Sequence, residues 1–163
     1  MWEQIKDDVF RDLRKSREET KIDTLLITGI SLGGGLSVIS FIDIDYAKIF
    51  PKVEITTFGA PRVGNKDWAD YFDKATNHST KRYFIEKDPI VSMPTCLTIL
   101  CNYKPTGIPI VCKEGSYTCY MNEESSYSYY WKAGKYLLEH GVNSIIDHIE
   151  GYPKIYNFTL VEG

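Results

Sequence analysis

The residues with the clearest capacity for chemistry lie in Gly29-Ile30-Ser31-Leu32-Gly33, a G-x-S-x-G. An apolar run, Leu25-Leu26-Ile27, leads into it, and two more glycines and an apolar segment follow. This reads as strand, sharp turn and helix, with Ser31 at the apex. A serine hydroxyl is a weak nucleophile and must be held where a base and a substrate can both reach it. A tight strand-to-helix turn does that, and small residues at Gly29 and Gly33 let the chain fold back without collision. The turn also aims the Leu32 backbone N–H, at the start of a helix, toward a developing oxyanion. The competing reading of the pattern alone is a glycine-rich turn with a bystander serine.

A serine nucleophile needs a base, and the base needs an orienting acid. The chain has three histidines. His78, in Asn77-His78-Ser79-Thr80, reads as a solvated loop or capping residue. His140 falls in a last helical turn, where a cation suits the helix dipole. His148 comes after the last expected strand, which is where the base stands in the order serine, acid, histidine. Its bland alternative is a helix-surface histidine beside Asp147. For the acid, Asp88 follows a strand directly, at the carboxyl edge of a parallel sheet, the edge that also carries Ser31. A turn-forming aspartate before proline is the plain alternative. Asp147 competes for the role, but adjacent residues rarely bring carboxylate and imidazole into register.

Several elements must position these groups. Trp2, Ile5, Val9, Phe10 and Leu13 recur at helical spacing, so an amphipathic helix is predicted over Trp2–Thr20. Leu25–Thr28 is predicted as a strand buried on both faces, and Leu32–Phe50 as a helix stopped by Pro51. Val53–Phe58 is the next strand. Asn65 is expected to cap a helix running to about Ala75, with Trp68, Tyr71 and Phe72 inward. Lys81–Glu86 is a third strand. Leu97–Cys101 and Ile108–Cys112 read as short strands around the Lys104-Pro105-Thr106-Gly107 turn. Ser116–Tyr130 reads as loop, Tyr129–His140 as a helix ending at Gly141, and Asn143–Tyr152 as a short segment carrying Asp147 and His148. The strand–helix–strand alternation implies right-handed crossovers and a parallel sheet with helices on both faces.

Composition bounds the possibilities. At 163 residues, with 43% hydrophobic and 25% charged, the chain is an ordinary single globular domain. Its net charge of −3 gives no pull toward nucleic acid or anionic membrane. No apolar run reaches the ~20 residues of a membrane span, and the start MWEQIKDDVF has no secretory h-region. Location is therefore left open. Cys96, Cys101, Cys112 and Cys119 lack a C-x-x-C pair, so zinc is a weak reading. Local disulfides and free buried thiols both remain open.

Four blocks carry a resemblance. They are Ile27-Thr28-Gly29-Ile30-Ser31-Leu32-Gly33-Gly34, then Thr57-Phe58-Gly59-Ala60-Pro61-Arg62-Val63-Gly64-Asn65, then Asp88-Pro89-Ile90-Val91 with Pro94, and Asp147-His148 with Tyr152. In order and approximate spacing this resembles the class 3 (fungal-type) lipases of the α/β-hydrolase fold. The resemblance implies one lipase-like domain over 1–163, the C-terminal portion of the family's usual domain and truncated at its N-terminus. It implies Ser31 as nucleophile, Asp88 as orienting acid, His148 as base and the Leu32 N–H as half of an oxyanion hole. It implies no metal or organic cofactor, no nucleic acid, and a lipid ester, such as an acylglycerol, as substrate at a membrane or droplet surface. Oligomeric state is left open. Ile30 stands where the family usually has histidine, and the family's upstream strands, lid helix and second oxyanion donor have no visible counterpart before Ser31. A lipase-like domain kept for lipid or partner binding, without working catalysis, is the alternative.

Overall fold

Helix α1 forms over Trp2–Thr20, the span that its apolar periodicity predicts. The computed structural model describes residues 1–94, 102–113 and 119–121, together with Glu139 and His148. Trp2 is the one buried residue of α1. Its indole Nε1 donates to Asp43 Oδ2 at 2.7 Å, and Lys6 Nζ lies 2.8 Å from the same oxygen. Hydrogen bonding from Lys6 and then from Trp2 holds the Asp43 carboxyl below the ordinary aspartate range. Lys21, at φ 56°, closes the helix by donating its N–H to Arg17 O at 3.0 Å.

Strand β1 (Thr24–Ile30) leads into helix α2 (Leu32–Tyr46), strand β2 (Lys52–Phe58), the short β3 (Gly64–Asn65), helix α3 (Lys66–Ala75) and strand β4 (Lys81–Ile85). A single 3₁₀ turn (Ile90–Ser92) follows, then β5 (Tyr103–Lys104), β6 (Ile108–Cys112) and β7 (Cys119–Met121). The main sheet has the order β1-β2-β4-β6-β7. Its first four strands are parallel, and β7 runs antiparallel to β6. A separate antiparallel pair joins β3 to β5.

Steps from β1 to β2 to β4 all move the same way across the sheet. Right-handed crossovers taken in one direction place every connecting helix on one face. The parallel sheet with its helices is thus as expected, but α2 and α3 share a face. There Val38 and Phe41 of α2 and Phe72 of α3 meet Ile55 of β2 in one core, with Ile27, Val53, Val63 and Trp68 at its margin. Trp68 stacks on Phe72 with centroids 5.5 Å apart. A second cluster, Phe58, Ile85 and Cys112, with Tyr83 and Cys119 against it, lies on the opposite face at the carboxyl end of the strands.

Four sequence expectations need correction. β1 is not buried on both faces. It is an edge strand among the described residues, and Thr24, Leu26, Thr28 and Ile30 on its outer face are exposed. A wholly apolar run cannot distinguish a central strand from an uncovered one. Helix α2 stops at Tyr46, well before Pro51, because Lys48 turns to φ 49° and pairs with Asp45; Phe50, preceding proline, is disfavoured as helix in any case. Tyr71 points outward, 57% exposed. Ala69 and Phe72 centre the buried stripe of α3, which puts Tyr71 more than 100° away at about 100° per residue. Residues 119–121, expected in a loop, form β7. The question left open at Cys112 and Cys119 is settled as a disulfide: they face one another across the β6–β7 ladder with Cα atoms 4.0 Å apart. The expected strand Leu97–Cys101 and most of the two C-terminal segments lie outside the described residues.

Candidate active site

Ser31 sits between the last residue of β1 and the first of α2. Its backbone is at φ 54°, ψ −125°, a left-handed conformation that costs a non-glycine residue about 1–3 kcal/mol. Two hydrogen bonds hold it there. Its N–H donates to Phe58 O at 2.8 Å, extending the β1–β2 ladder past the strand end. Its carbonyl accepts from Gly35 N at 3.1 Å, the first bond of the helix. A serine at a helix N-cap ordinarily spends its hydroxyl on the N2 or N3 amide; Ser31 makes no such bond. The half-buried side chain therefore keeps its hydroxyl for other partners. Leu32, the first residue of α2, is 62% exposed beside it.

The steric logic of this turn differs in one detail from the sequence pattern. A Cβ on Gly29 would collide with the Gly33 carbonyl and lie 2.6 Å from Ser37 Oγ. A Cβ on Gly34 would stand 2.8 Å from that of Ala60 and 2.9 Å from Gly29 O. At Gly33 an added Cβ would meet nothing within 4 Å. Close approach of helix to strand thus demands Gly29 and Gly34, not Gly33. Gly34 packs against the loop after β2, so Ala60 braces the turn from behind.

Asp88 follows β4, two strands from β1, about 10 Å across the sheet. Its carboxyl is buried. Oδ1 accepts from Ile90 N–H at 2.8 Å, and the Asp88 N–H donates to Ile85 O at 3.0 Å. This side-chain turn sets the carboxylate against its own backbone. Oδ2 lies 2.8 Å from Nδ1 of His148, whose side chain is 5% exposed. That separation puts the carboxylate and the imidazole in direct contact, an ion pair when the ring is protonated. His148 is helical and reaches this position from the far end of the chain. His78 is exposed at the end of α3, where its N–H donates to Asp73 O at 2.7 Å. His140 and Asp147 lie outside the described residues.

One residue here gave no sequence signal beyond its place in a strand. Arg82 of β4 is buried, 2% exposed. Its Nη2 donates to Val91 O at 3.1 Å and to Ala60 O at 3.3 Å. Its guanidinium carbon lies 5.1 Å from the Phe84 ring centroid. In register it stands beside Thr57, which stands beside Gly29. A burial pattern could have flagged it: Arg82 falls on the helix-covered face of a strand, where a lone charge is costly unless paired. The Asp73 carboxyl, half-buried at the end of α3, is pushed up by desolvation, against the opposing effects of Gly107 N–H, His78 and Arg82. Among the described residues no cluster of His, Cys, Asp and Glu could hold a metal ion.

Comparison with known proteins places these features in a family context. A family model described as lipase (class 3) matches residues 1–98. A secreted mono- and diacylglycerol lipase of Malassezia globosa is 27% identical over 88 residues, covering 54% of this chain and 29% of that protein. Among solved structures, lipase II from Rhizopus niveus superposes with a TM-score of 0.71 at 22% identity, over 90% of this chain and 54% of that one. A triacylglycerol lipase described as having a serine-protease triad as its catalytic centre gives 0.69 at 18% identity, over 90% and 54%. This chain thus spans about half the length of these solved structures and under a third of the curated relative.

Proposed function

The chain belongs to the class 3 lipase family, and from that premise we propose that it is a serine carboxylester hydrolase acting on acylglycerols or related lipid esters. Ser31 Oγ attacks the ester carbonyl. His148 accepts the hydroxyl proton through Nε2 and returns it to the departing alcohol. Asp88 holds the imidazole by Nδ1 and stabilises the imidazolium. The Leu32 N–H, at the positive end of α2, binds the oxyanion as it forms. Water then cleaves the acyl-enzyme by the same steps in reverse order. This chemistry requires no metal or organic cofactor.

The observation that carries the reading is the pairing of Asp88 with His148, residues far apart in sequence, at the sheet edge where Ser31 is held in a strained turn with its hydroxyl unspent on capping. A desolvated Asp–His pair has little to offer stability alone, since burying two ionisable groups costs about as much as their attraction returns. The lipid-ester substrate class is supported by a relative named as a mono- and diacylglycerol lipase. The test is turnover of p-nitrophenyl butyrate, an emulsified diacylglycerol assay and labelling by a fluorophosphonate. Ser31→Ala should abolish all three. Equal turnover by the variant, or a folded protein that never labels, would remove the nucleophile assignment.

A further inference from the structure

We propose that Arg82 is a positioning residue for the acid–base pair, tying the turn that carries Asp88 to the loop that braces the serine turn; this rests on the hydrolase reading above. Each of the two carbonyls it engages belongs to a different part of the site. Val91 O belongs to the 3₁₀ turn that begins two residues after Asp88, and Ile90 of that same turn supplies the N–H on Asp88 Oδ1. Ala60 O belongs to the loop after β2, and the Ala60 side chain packs behind Gly34 of α2. One guanidinium nitrogen therefore joins the support of Asp88 to the support of Ser31.

Chemistry favours arginine for this task. A guanidinium stays charged when buried, presents its donors in one plane and can lie flat on an aromatic ring. The guanidinium carbon of Arg82 lies 5.1 Å from the ring centroid of Phe84, which itself packs on Val91 and Val111. The residue thus grips the Asp88 turn by a hydrogen bond on one side and through a shared apolar cluster on the other. Its alkyl stem occupies the sheet face beside Thr57. Loss of the guanidinium would leave the Asp88 turn its internal hydrogen bonds, Asp88 N–H to Ile85 O and Ile90 N–H to Asp88 Oδ1 among them, but would remove the tie from Val91 O to the Ala60 loop. Displacements on the order of 1 Å in such supports cost about 10²-fold in rate.

The experiment compares wild type, Arg82→Lys and Arg82→Met, each with Asp88 intact and as Asp88→Asn, by the maximal rate of fluorophosphonate labelling, by kcat and KM on p-nitrophenyl butyrate, and by the NMR chemical shifts of the His148 ring protons, assigned against His148→Gln. With Asp88 intact, Arg82→Met should lower the maximal labelling rate and kcat by roughly 10–100-fold with KM little changed, and Arg82→Lys by a smaller step. With Asp88→Asn, where the acid is already lost, Arg82→Met should cost little more. The His148 ring shifts should move in Arg82→Met. If Arg82→Met does not fold, the lysine variant decides. A merely structural role would lower the melting temperature and leave kcat and the His148 ring shifts of the folded protein where they were; that result overturns the proposal. If wild type itself never labels, the hydrolase reading fails, while the His148 ring shifts still test whether Arg82 positions the pair.

Discussion

The Asp88 carboxylate is held at both of its oxygens: Oδ1 by the Ile90 N–H at 2.8 Å and Oδ2 against His148 Nδ1 at 2.8 Å. A carboxylate fixed in this way presents one defined lone pair to the imidazole. On the proposed mechanism that leaves Nε2 as the ring nitrogen that acts as base. Asp88→Asn keeps the shape and the Ile90 contact but offers Nδ1 the wrong partner for a protonated nitrogen. Ester turnover should fall about 10³–10⁴-fold, with little change in melting temperature. Steady-state kinetics together with a thermal melt would check this, and near-normal turnover would remove Asp88 from the mechanism.

The two glycines of the G-x-S-x-G should respond in opposite ways. Gly29→Ala drives a methyl into the Gly33 carbonyl and Ser37 Oγ, both backed by helix α2. Strand and helix must separate, so the variant should be strongly destabilised and poorly labelled. Gly33→Ala points into open space within a helix. It should gain roughly 0.5–1 kcal/mol from helix propensity. Chemical denaturation of the two variants side by side checks the contrast.

Asp73 links pH to stability. Burial raises its pKa, so its protonated form is the better tolerated one in the folded state. The contribution to stability is fully present below the ordinary aspartate value, about 3.9, and is lost as pH rises through the raised value. Asp73→Asn keeps an oxygen for the Gly107 N–H, now 2.7 Å from Asp73 Oδ1, and removes the charge. The difference in melting temperature, variant minus wild type, should therefore be more favourable at pH 7 than at pH 4. Asp73→Ala, which leaves the Gly107 amide without that acceptor, should cost about 1–3 kcal/mol.

Helix α1 hangs on Trp2. With the rest of its surface exposed or half-buried, its attachment to α2 depends on the indole and the Lys6–Asp43 pair. The ion pair is partly exposed and contributes less than about 1 kcal/mol. Trp2→Ala should cost roughly 2 kcal/mol or more. Hydrogen exchange would show loss of protection along α1 while β2 and β4 remain protected.

Much of this architecture was legible because local chemistry and global fold agree. The periodicity of α1, the Asn65 cap, whose Oδ1 accepts from Trp68 N at 2.9 Å, and the strand at β4 all follow from short-range rules. What was not legible depends on neighbours. Nothing in Thr24–Ile30 says how many strands lie beside it, so its exposed outer face could not be read. The Cys112–Cys119 pairing needed the β6–β7 register. Among the candidate site residues, Asp88 was found from its place after a strand. The burial of its carboxyl and its second oxygen's bond to Ile90 required coordinates. Arg82 looked like one more strand charge, because its two carbonyl partners come from loops that only the folded chain brings together.

The left-handed backbone of Ser31 sets stability against chemistry at a single position. Glycine would adopt φ 54° without steric cost, at an entropic penalty of about 0.5–1 kcal/mol against a strain of about 1–3 kcal/mol relieved. Ser31→Gly is thus expected to melt at the same or a higher temperature than wild type while losing the hydroxyl. On the proposed mechanism the strain at Ser31 is stability given up for a nucleophile, the kind of trade that leaves a fold below its own optimum.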